Sequence, residues 1–373
     1  MSLPKTYKTL ISTVTEEGQL RMEMVEKPMP VPKSDQVLIR VEAAPINPSD
    51  HGVMFGYSDM SKASNEDGAL VAPIPPMGMR MMKGRLGQAL PIGNEGAGTV
   101  VAAGDSDAAQ SLMGRTVAAM GGGMYTQYRA VPVIQVLPIN EGNTARDGAS
   151  SFVNPLTALC FPETMRNEGH TAIVHTAAAS NLGQMLVKIC KADGVPLVNI
   201  VRKDEQVALL KSIGATHVIN SSDDDFIPQL IDAVHETGAT LAFDATGGGR
   251  LASDILTAME GAAARTPGAY SIYGSIHHKQ VYLYGSLDPS PTMLTRGYGM
   301  AWGVGGWLLP NFLAKAGMET AIRLRQRVAN ELTTTFASTY TDEISLADAL
   351  NANIVARYNA KKTGEKFLVN PQL

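Results

Sequence analysis

Cysteine is almost missing from this chain: Cys160 and Cys190 are the two in 373 residues. Two thiols cannot build a disulfide framework or a cysteine-rich metal lobe. Both lie in apolar text and read as buried helical thiols. A strong charge of either sign is missing too. The formal net charge is −4 and charged residues make up 18% of the chain, so no electrostatic footprint for nucleic acid or an anionic membrane is present. Long apolar runs are also absent. No stretch approaches the ~20 apolar residues of a spanning helix, and the run near Gly299–Pro310 is interrupted by Gly303, Gly305 and Gly306. The opening residues carry neither a long apolar core nor a small-residue cleavage site. The expectation is a cytoplasmic protein acting on a small molecule, with no nucleic acid or membrane partner.

Apolar residues are plentiful, at 45%. That is enough to fill two cores at ~150 residues each. The first part of the chain reads as an irregular β-rich domain, with strands at Gln36–Ala43, Gly98–Gly104 and Gly114–Met120. From about Thr171 the texture changes to alternating strands and helices. Strands are expected at Ala172–His175, Pro196–Val201, His217–Asn220, Leu241–Asp244, Ala269–Tyr273 and Val281–Tyr284. Helices are expected over Asn181–Ala192, Glu205–Ile213, Phe226–Glu236 and Leu251–Met259. This rhythm predicts an α/β fold with a doubly wound parallel sheet. A helix over Leu308–Glu331 follows, and the strand Glu365–Val369 is expected to return to the first domain. The Met- and Pro-rich stretch Ser58–Leu90 reads as a loop, either an adaptable apolar surface or an excursion without a role.

The turn after the strand ending at His175 reads Thr176-Ala177-Ala178-Ala179-Ser180-Asn181-Leu182-Gly183. Fitted to G-x-G-x-x-G, the glycine positions hold Ala178, Ser180 and Gly183, so the string alone is weak. Its context is stronger: a strand precedes it, a helix follows, and small residues permit backbone approach to a pyrophosphate at a helix N-terminus. An ordinary strand–helix turn is the competing reading. The second strand runs into Arg202 and Lys203. A site for NADH places an acid there, ~20 residues after the glycines. A guanidinium instead suits the 2′-phosphate of NADPH, unless the pair is a solvated strand end.

With Asn47-Pro48-Ser49-Asp50, Gly93-Asn94-Glu95-Gly96-Ala97-Gly98 and a late Rossmann unit, the chain resembles the medium-chain dehydrogenases/reductases over nearly its whole length. The resemblance implies a GroES-like catalytic domain (residues 1–150 and 331–373) split around a Rossmann domain for NADPH (151–330), in a homodimer. The Gly-His-Glu motif of the zinc members has Asn94 in place of its histidine, and no cysteine precedes Cys160; no metal is expected. Two zinc-free branches remain, the quinone oxidoreductase-like proteins and the mitochondrial-type 2-enoyl thioester reductases. Asn154-Pro155-Leu156-Thr157-Ala158 and Asn199-Ile200-Val201-Arg202 are similar to the latter. The resemblance implies Thr157 close to the nicotinamide, Arg202 on the 2′-phosphate and Lys366 near the cofactor. It also implies a catalytic tyrosine in a Gly-Asn-Tyr-Gly stretch. Here Phe55-Gly56-Tyr57-Ser58 places Tyr57 one residue early.

Reduction of an activated C=C bond needs a hydride, donors at the enolate oxygen and a proton for the α-carbon. Tyr57 is the candidate acid, or else a packed loop residue. Asn47 is the candidate amide of the site, or else an Asn-Pro turn residue. Tyr125 and Tyr128 read as strand residues of the core, and His51 as solvated. Three functions follow: an NADPH-dependent reductase of 2-enoyl thioesters, enones or enals; an NADPH:quinone oxidoreductase; and a non-catalytic NADPH-binding sensor or structural protein. The apolar, glycine-rich Met300–Leu309 is expected to be the interface strand of the dimer.

Overall fold

The computed structural model describes residues 3–265 and 271–373. The chain divides into two compact units, Met1–Val153 with Arg325–Leu373, and Asn154–Leu324.

The first unit is built on antiparallel sheets. One contains Thr6–Val14 paired with Gln19–Pro28, which in turn pairs with Ala69–Pro73. The other centres on Gln36–Pro45, flanked by Glu95–Ala103 and Tyr128–Pro132. Alternating side chains of these strands face one apolar core that includes Leu10, Val37, Ile39, Val41 and Val100. The C-terminal strand Phe367–Val369 pairs antiparallel with Gln36–Pro45, as expected, but also lies parallel to Asp342–Ile344, a partner closer in sequence. Ser58–Leu90 is not simply a loop. It contains a hairpin, Ser64–Glu66 against Ala69–Pro73, and a short helix, Pro76–Met81. Leu70, Ala72, Ile74 and Met82 join the core, which anchors the stretch.

The second unit is a six-stranded, all-parallel sheet. In spatial order its strands are His217–Asn220, Leu197–Val201, Ile173–His175, Leu241–Asp244, Lys279–Leu283 and Trp302–Gly306. This order puts the reversal of winding between Ile173–His175 and Leu241–Asp244, where such sheets bind ligands beyond the carboxyl ends of their strands. The central strands are near-continuous Val, Ile, Leu and Ala because helices cover both faces. The helices Asn181–Asp193 and Phe226–Thr237 each end in a left-handed glycine, Gly194 and Gly238. Cys160 and Cys190 are buried helical thiols.

Of the strand expected at Ala269–Tyr273, the first two residues lie outside the described part, and Ser271–Tyr273 is not extended. The fifth and sixth strands are Lys279–Leu283 and Trp302–Gly306. The long helix runs Leu309–Asn330, broken at Gly317 (φ 84°). Among the described residues, no helix is long and apolar enough to cross a membrane.

Candidate active site

In the first unit, two acids of the glycine- and proline-bearing motifs meet in the interior. Asp50 closes the turn that begins at Asn47. Its carboxylate accepts the Asn47 N–H at 2.8 Å and the Asn94 N–H at 2.7 Å. Glu95 opens the strand Glu95–Ala103, one residue beyond Asn94. Its Oε1 accepts the Asn47 side-chain amide at 2.8 Å, and its Oε2 accepts the N–H groups of Phe152 and Val153 at 2.7 and 3.0 Å. Asn47 therefore has its Nδ2 fixed, while its buried Oδ1 has no hydrogen-bond partner. Gly93 (φ +93°) is required beside this cluster, since a Cβ there would stand 2.6 Å from the Tyr125 ring.

Electrostatics follow from burial. Asp50 is pushed up to about 7, chiefly by loss of water; its two backbone donors resist this and the Glu95 charge adds to it. Burial raises Glu95 as well, opposed by the Lys366 charge and the backbone N–H groups. Burial brings Lys366 down to about 8, against the pull of Glu95 and Asp50. Its Nζ is buried without a hydrogen-bond partner and lies 5.6 Å from the Tyr340 ring centroid. The Tyr125 hydroxyl donates to the Pro45 carbonyl at 3.0 Å, and burial holds it far above the usual phenol range. Burial thus moves Asp50 and Lys366 toward one another in proton affinity and raises Glu95, while the Tyr125 phenol keeps its proton.

Tyr57 is not part of that cluster. It stands 56% exposed in the turn after the helix His51–Met54, packed over Gly78. Tyr125 is buried, as expected, but sits before the strand Tyr128–Pro132 rather than on it. His51 is a correction: it is buried at 8% exposure, against Phe55 and Tyr358, not solvated. Burial takes its ring down to about 3, so it is neutral.

In the second unit, the turn Thr176–Ser180 leads into the helix Asn181–Asp193. Ser180 caps it, its hydroxyl accepting the Gly183 N–H at 3.1 Å. A Cβ on Gly183 would lie 2.1 Å from the Ala178 carbonyl oxygen, so the helix is seated directly on the turn and only glycine fits. Ala177 takes the left-handed conformation (φ 49°) usually left to glycine. Only methyl-sized side chains occupy Ala177–Ala179. With no long side chain of its own, the turn and the helix N-terminus that follows it fit a pyrophosphate. Arg202 and Lys203 follow the strand Leu197–Val201 with exposed side chains, and the Arg202 N–H is tied to Gln206 Oε1 at 3.0 Å. Asn181 is the first residue of the helix, and Thr157 is buried on the helix Val153–Asn167.

Among the described residues, no group of three or more His, Cys, Asp or Glu side chains is placed to hold a metal ion. Asn94, at the position of the zinc members' histidine, donates its side-chain amide to the Ser49 hydroxyl at 3.1 Å.

Residues 33–141 match the model of the alcohol dehydrogenase GroES-like domain, and residues 182–297 that of the zinc-binding dehydrogenases. The chain belongs to the medium-chain dehydrogenase/reductase superfamily. Within the superfamily it is 28% identical over 257 residues to prostaglandin reductase-3 of Mus musculus, covering 65% of this chain and 60% of that protein. It is 26% identical over 209 residues to a mitochondrial enoyl-[acyl-carrier-protein] reductase of Caenorhabditis elegans, covering 55% and 53%. These curated relatives are thus matched over 60% of their length or less. A structure named as an NADPH:quinone reductase of Mesorhizobium loti matches all of both chains, with a TM-score of 0.75 and 27% identity.

Asp50 supplies a pH test of the buried cluster. Its proton is held more tightly in the folded chain than in the unfolded one. Its contribution to stability is therefore full below its unfolded pKa of 3.8 and is lost as pH rises through about 7. Relative to Asp50→Asn, the native chain should lose up to about 1.4 kcal/mol of stability per pH unit across that window. Above it the difference should be constant. Urea unfolding of both proteins at a series of pH values measures this, and a pH-independent difference would show that Asp50 is not buried as described.

Proposed function

We propose that this chain is an NADPH-dependent reductase that transfers hydride to an activated C=C bond in a small acceptor: a 2-enoyl thioester, an enone or an enal. The observation that carries the reading is the pairing of a small-residue strand–helix turn at Ala178–Gly183 with Arg202 and Lys203 at the end of the next strand. The names of the mouse and nematode relatives support the acceptor class.

When bound, the cofactor supplies the hydride that adds to the acceptor's β-carbon. The chain's own residues do the rest. The N–H groups at the start of the helix Asn181–Asp193 hold the pyrophosphate, and Ser180 and Gly183 keep that helix end against the turn. Arg202, with Lys203 beside it, takes the 2′-phosphate through charge-assisted hydrogen bonds. Thr157 belongs near the nicotinamide, and Lys366 near the cofactor. Asn47 is held by Glu95 so that one face of its amide is fixed and its Oδ1 stays unpaired. Tyr57, 56% exposed, is the residue assigned to donate to the enolate oxygen or to give the α-carbon its proton.

A second reading, NADPH:quinone oxidoreductase, is favoured by the full-length match to the Mesorhizobium loti protein. Hydride transfer to a quinone leans less on a dedicated acid, so one pair of variants separates the two. Arg202→Ala should weaken NADPH by about tenfold or more and leave NADH nearly unchanged, since only NADPH carries the extra phosphate. Tyr57→Phe should lower turnover of crotonyl-CoA by ~10²-fold and quinone turnover far less. A native preference for NADH would sink the cofactor assignment. Equal rates for native and Tyr57→Phe on every enoyl acceptor would favour the quinone reading.

We also infer a homodimer. Trp302–Gly306 closes the parallel sheet on one side and pairs only with Lys279–Leu283 among the described strands. Met300 and Leu308 beside it are 78% and 57% exposed. An apolar open edge of this kind is normally covered, and a two-fold copy covers it symmetrically. Light scattering at micromolar concentration should give twice the chain mass of 39.6 kDa. A monomer mass would contradict the inference.

A further inference from the structure

The first and fourth strands of the parallel sheet, Ile173–His175 and Leu241–Asp244, are neighbours at the reversal of winding. Each is followed at once by a turn, Thr176–Ser180 on one and Ala245–Gly249 on the other. The two turns are tied by a single pair of side chains. The Thr176 hydroxyl donates to Asp244 Oδ1 at 2.6 Å and accepts the Ala245 N–H at 2.9 Å. Asp244 Oδ1 also accepts the Thr246 N–H at 2.8 Å, and Oδ2 accepts the Gly247 N–H at 3.1 Å. Both side chains are fully buried. Beyond the tie the second turn is built of glycine. Gly247 takes φ +78° and Gly249 φ +73°, and a Cβ on Gly248 would meet the Ser290 carbonyl at 2.5 Å. The stretch Gly247–Gly249 pairs parallel with Asp288–Thr292.

Stability alone does not call for this arrangement. A carboxylate taken fully out of water is costly, and here its partners are a hydroxyl and two backbone N–H groups, donors without charge. An apolar residue at the end of a buried strand would hold the core at lower cost. What the carboxylate does is collect donors from two separate loops onto one point, so neither loop can move without breaking a charge-assisted hydrogen bond.

We propose that Asp244 and Thr176 are positioning residues for the dinucleotide, acting through the two turns without touching the cofactor. Resting on the nucleotide site proposed above, the pair fixes the distance between the turn that faces the pyrophosphate and the Ala245–Gly249 turn on the adjacent strand. The site is thus assembled before the cofactor arrives, and the ordering cost of binding falls. Because the tie lies away from Arg202, it acts equally on NADPH and NADH.

The test is fluorescence titration of the full chain with NADPH and with NADH, alongside melting with and without cofactor. Thr176→Val keeps the shape and removes the hydroxyl. Its Kd should rise about tenfold or more for both cofactors, the size that one charge-assisted hydrogen bond carries. Thr176→Ser restores the hydroxyl and should return Kd to within about twofold of native. Asp244→Asn turns an N–H toward the Gly247 N–H, and should weaken both cofactors at least as much as Thr176→Val. It serves as the second variant if Thr176→Val does not fold. Turnover at saturating cofactor should change much less than Kd. A Thr176→Val protein that melts lower yet binds both cofactors like native would overturn the proposal and leave the pair a purely structural tie. So would a loss confined to NADPH, or equal losses in the valine and serine variants. If the native chain binds neither cofactor, the nucleotide reading itself has failed, a result distinct from all of these.

Discussion

Much of the first unit depends on one buried carboxylate, Glu95. It is fully shielded from water and spends its two oxygens on three donors from distant parts of the chain: the Asn47 amide and the N–H groups of Phe152 and Val153. A carboxyl group in such a place persists only if its lone pairs are satisfied. The turn at Asn47 and the end of the unit's first segment at Phe152–Val153 are therefore held to one point, and the charge there acts on the buried ammonium of Lys366 without a hydrogen bond to it. Asp50, three residues beyond Asn47, repeats the device by gathering the N–H groups of Asn47 and Asn94. Chemistry follows from the same constraint. Holding these acids and a lysine in one dry place moves their proton affinities toward neutrality.

The second unit solves a different problem, bringing backbone close to an anion without the full glycine pattern. Gly183 remains glycine because the Ala178 carbonyl leaves no room for a Cβ. The other two positions tolerate Ala178 and Ser180. Neither carries more than a short side chain, and the Ser180 hydroxyl earns its place by capping the helix. The strain appears instead at Ala177, which accepts a left-handed backbone at a cost of order 1 kcal/mol.

Local pattern made the parallel sheet legible. His217–Asn220 and Leu241–Asp244 were readable to the residue, because short apolar runs bounded by polar turns leave little freedom. The last strand of the sheet, Trp302–Gly306, lies inside the stretch Met300–Leu309 read as a strand, but that reading rested on apolar, glycine-rich composition, since three of its five residues are glycine and carry no strand periodicity. Ser58–Leu90 looked like a loop because its hairpin is too short to alternate clearly, and its order comes from Leu70 and Ala72 packing into a core built by remote strands. The acidic cluster was hidden for a related reason. Asp50 and Glu95 were visible as letters of two motifs, but their partners lie 44 and 57 residues away. The one local signal was the spacing of Asn47 and Asp50, which is that of a capping pair. Asp244 carried no signal beyond its place at the end of a strand, the place where ligands of such sheets are met.

The fate of the hydride tests the proposed reaction most directly. Crotonyl-CoA would be reduced in ordinary water with NADPH deuterated at the transferring position of its nicotinamide, and the product examined by NMR. Reduction of an activated C=C bond by this chain predicts one deuterium at the β-carbon and none at the α-carbon, whose new hydrogen comes from the protein or solvent. An unlabelled product, a label at the α-carbon, or cofactor oxidation with the double bond intact would contradict it.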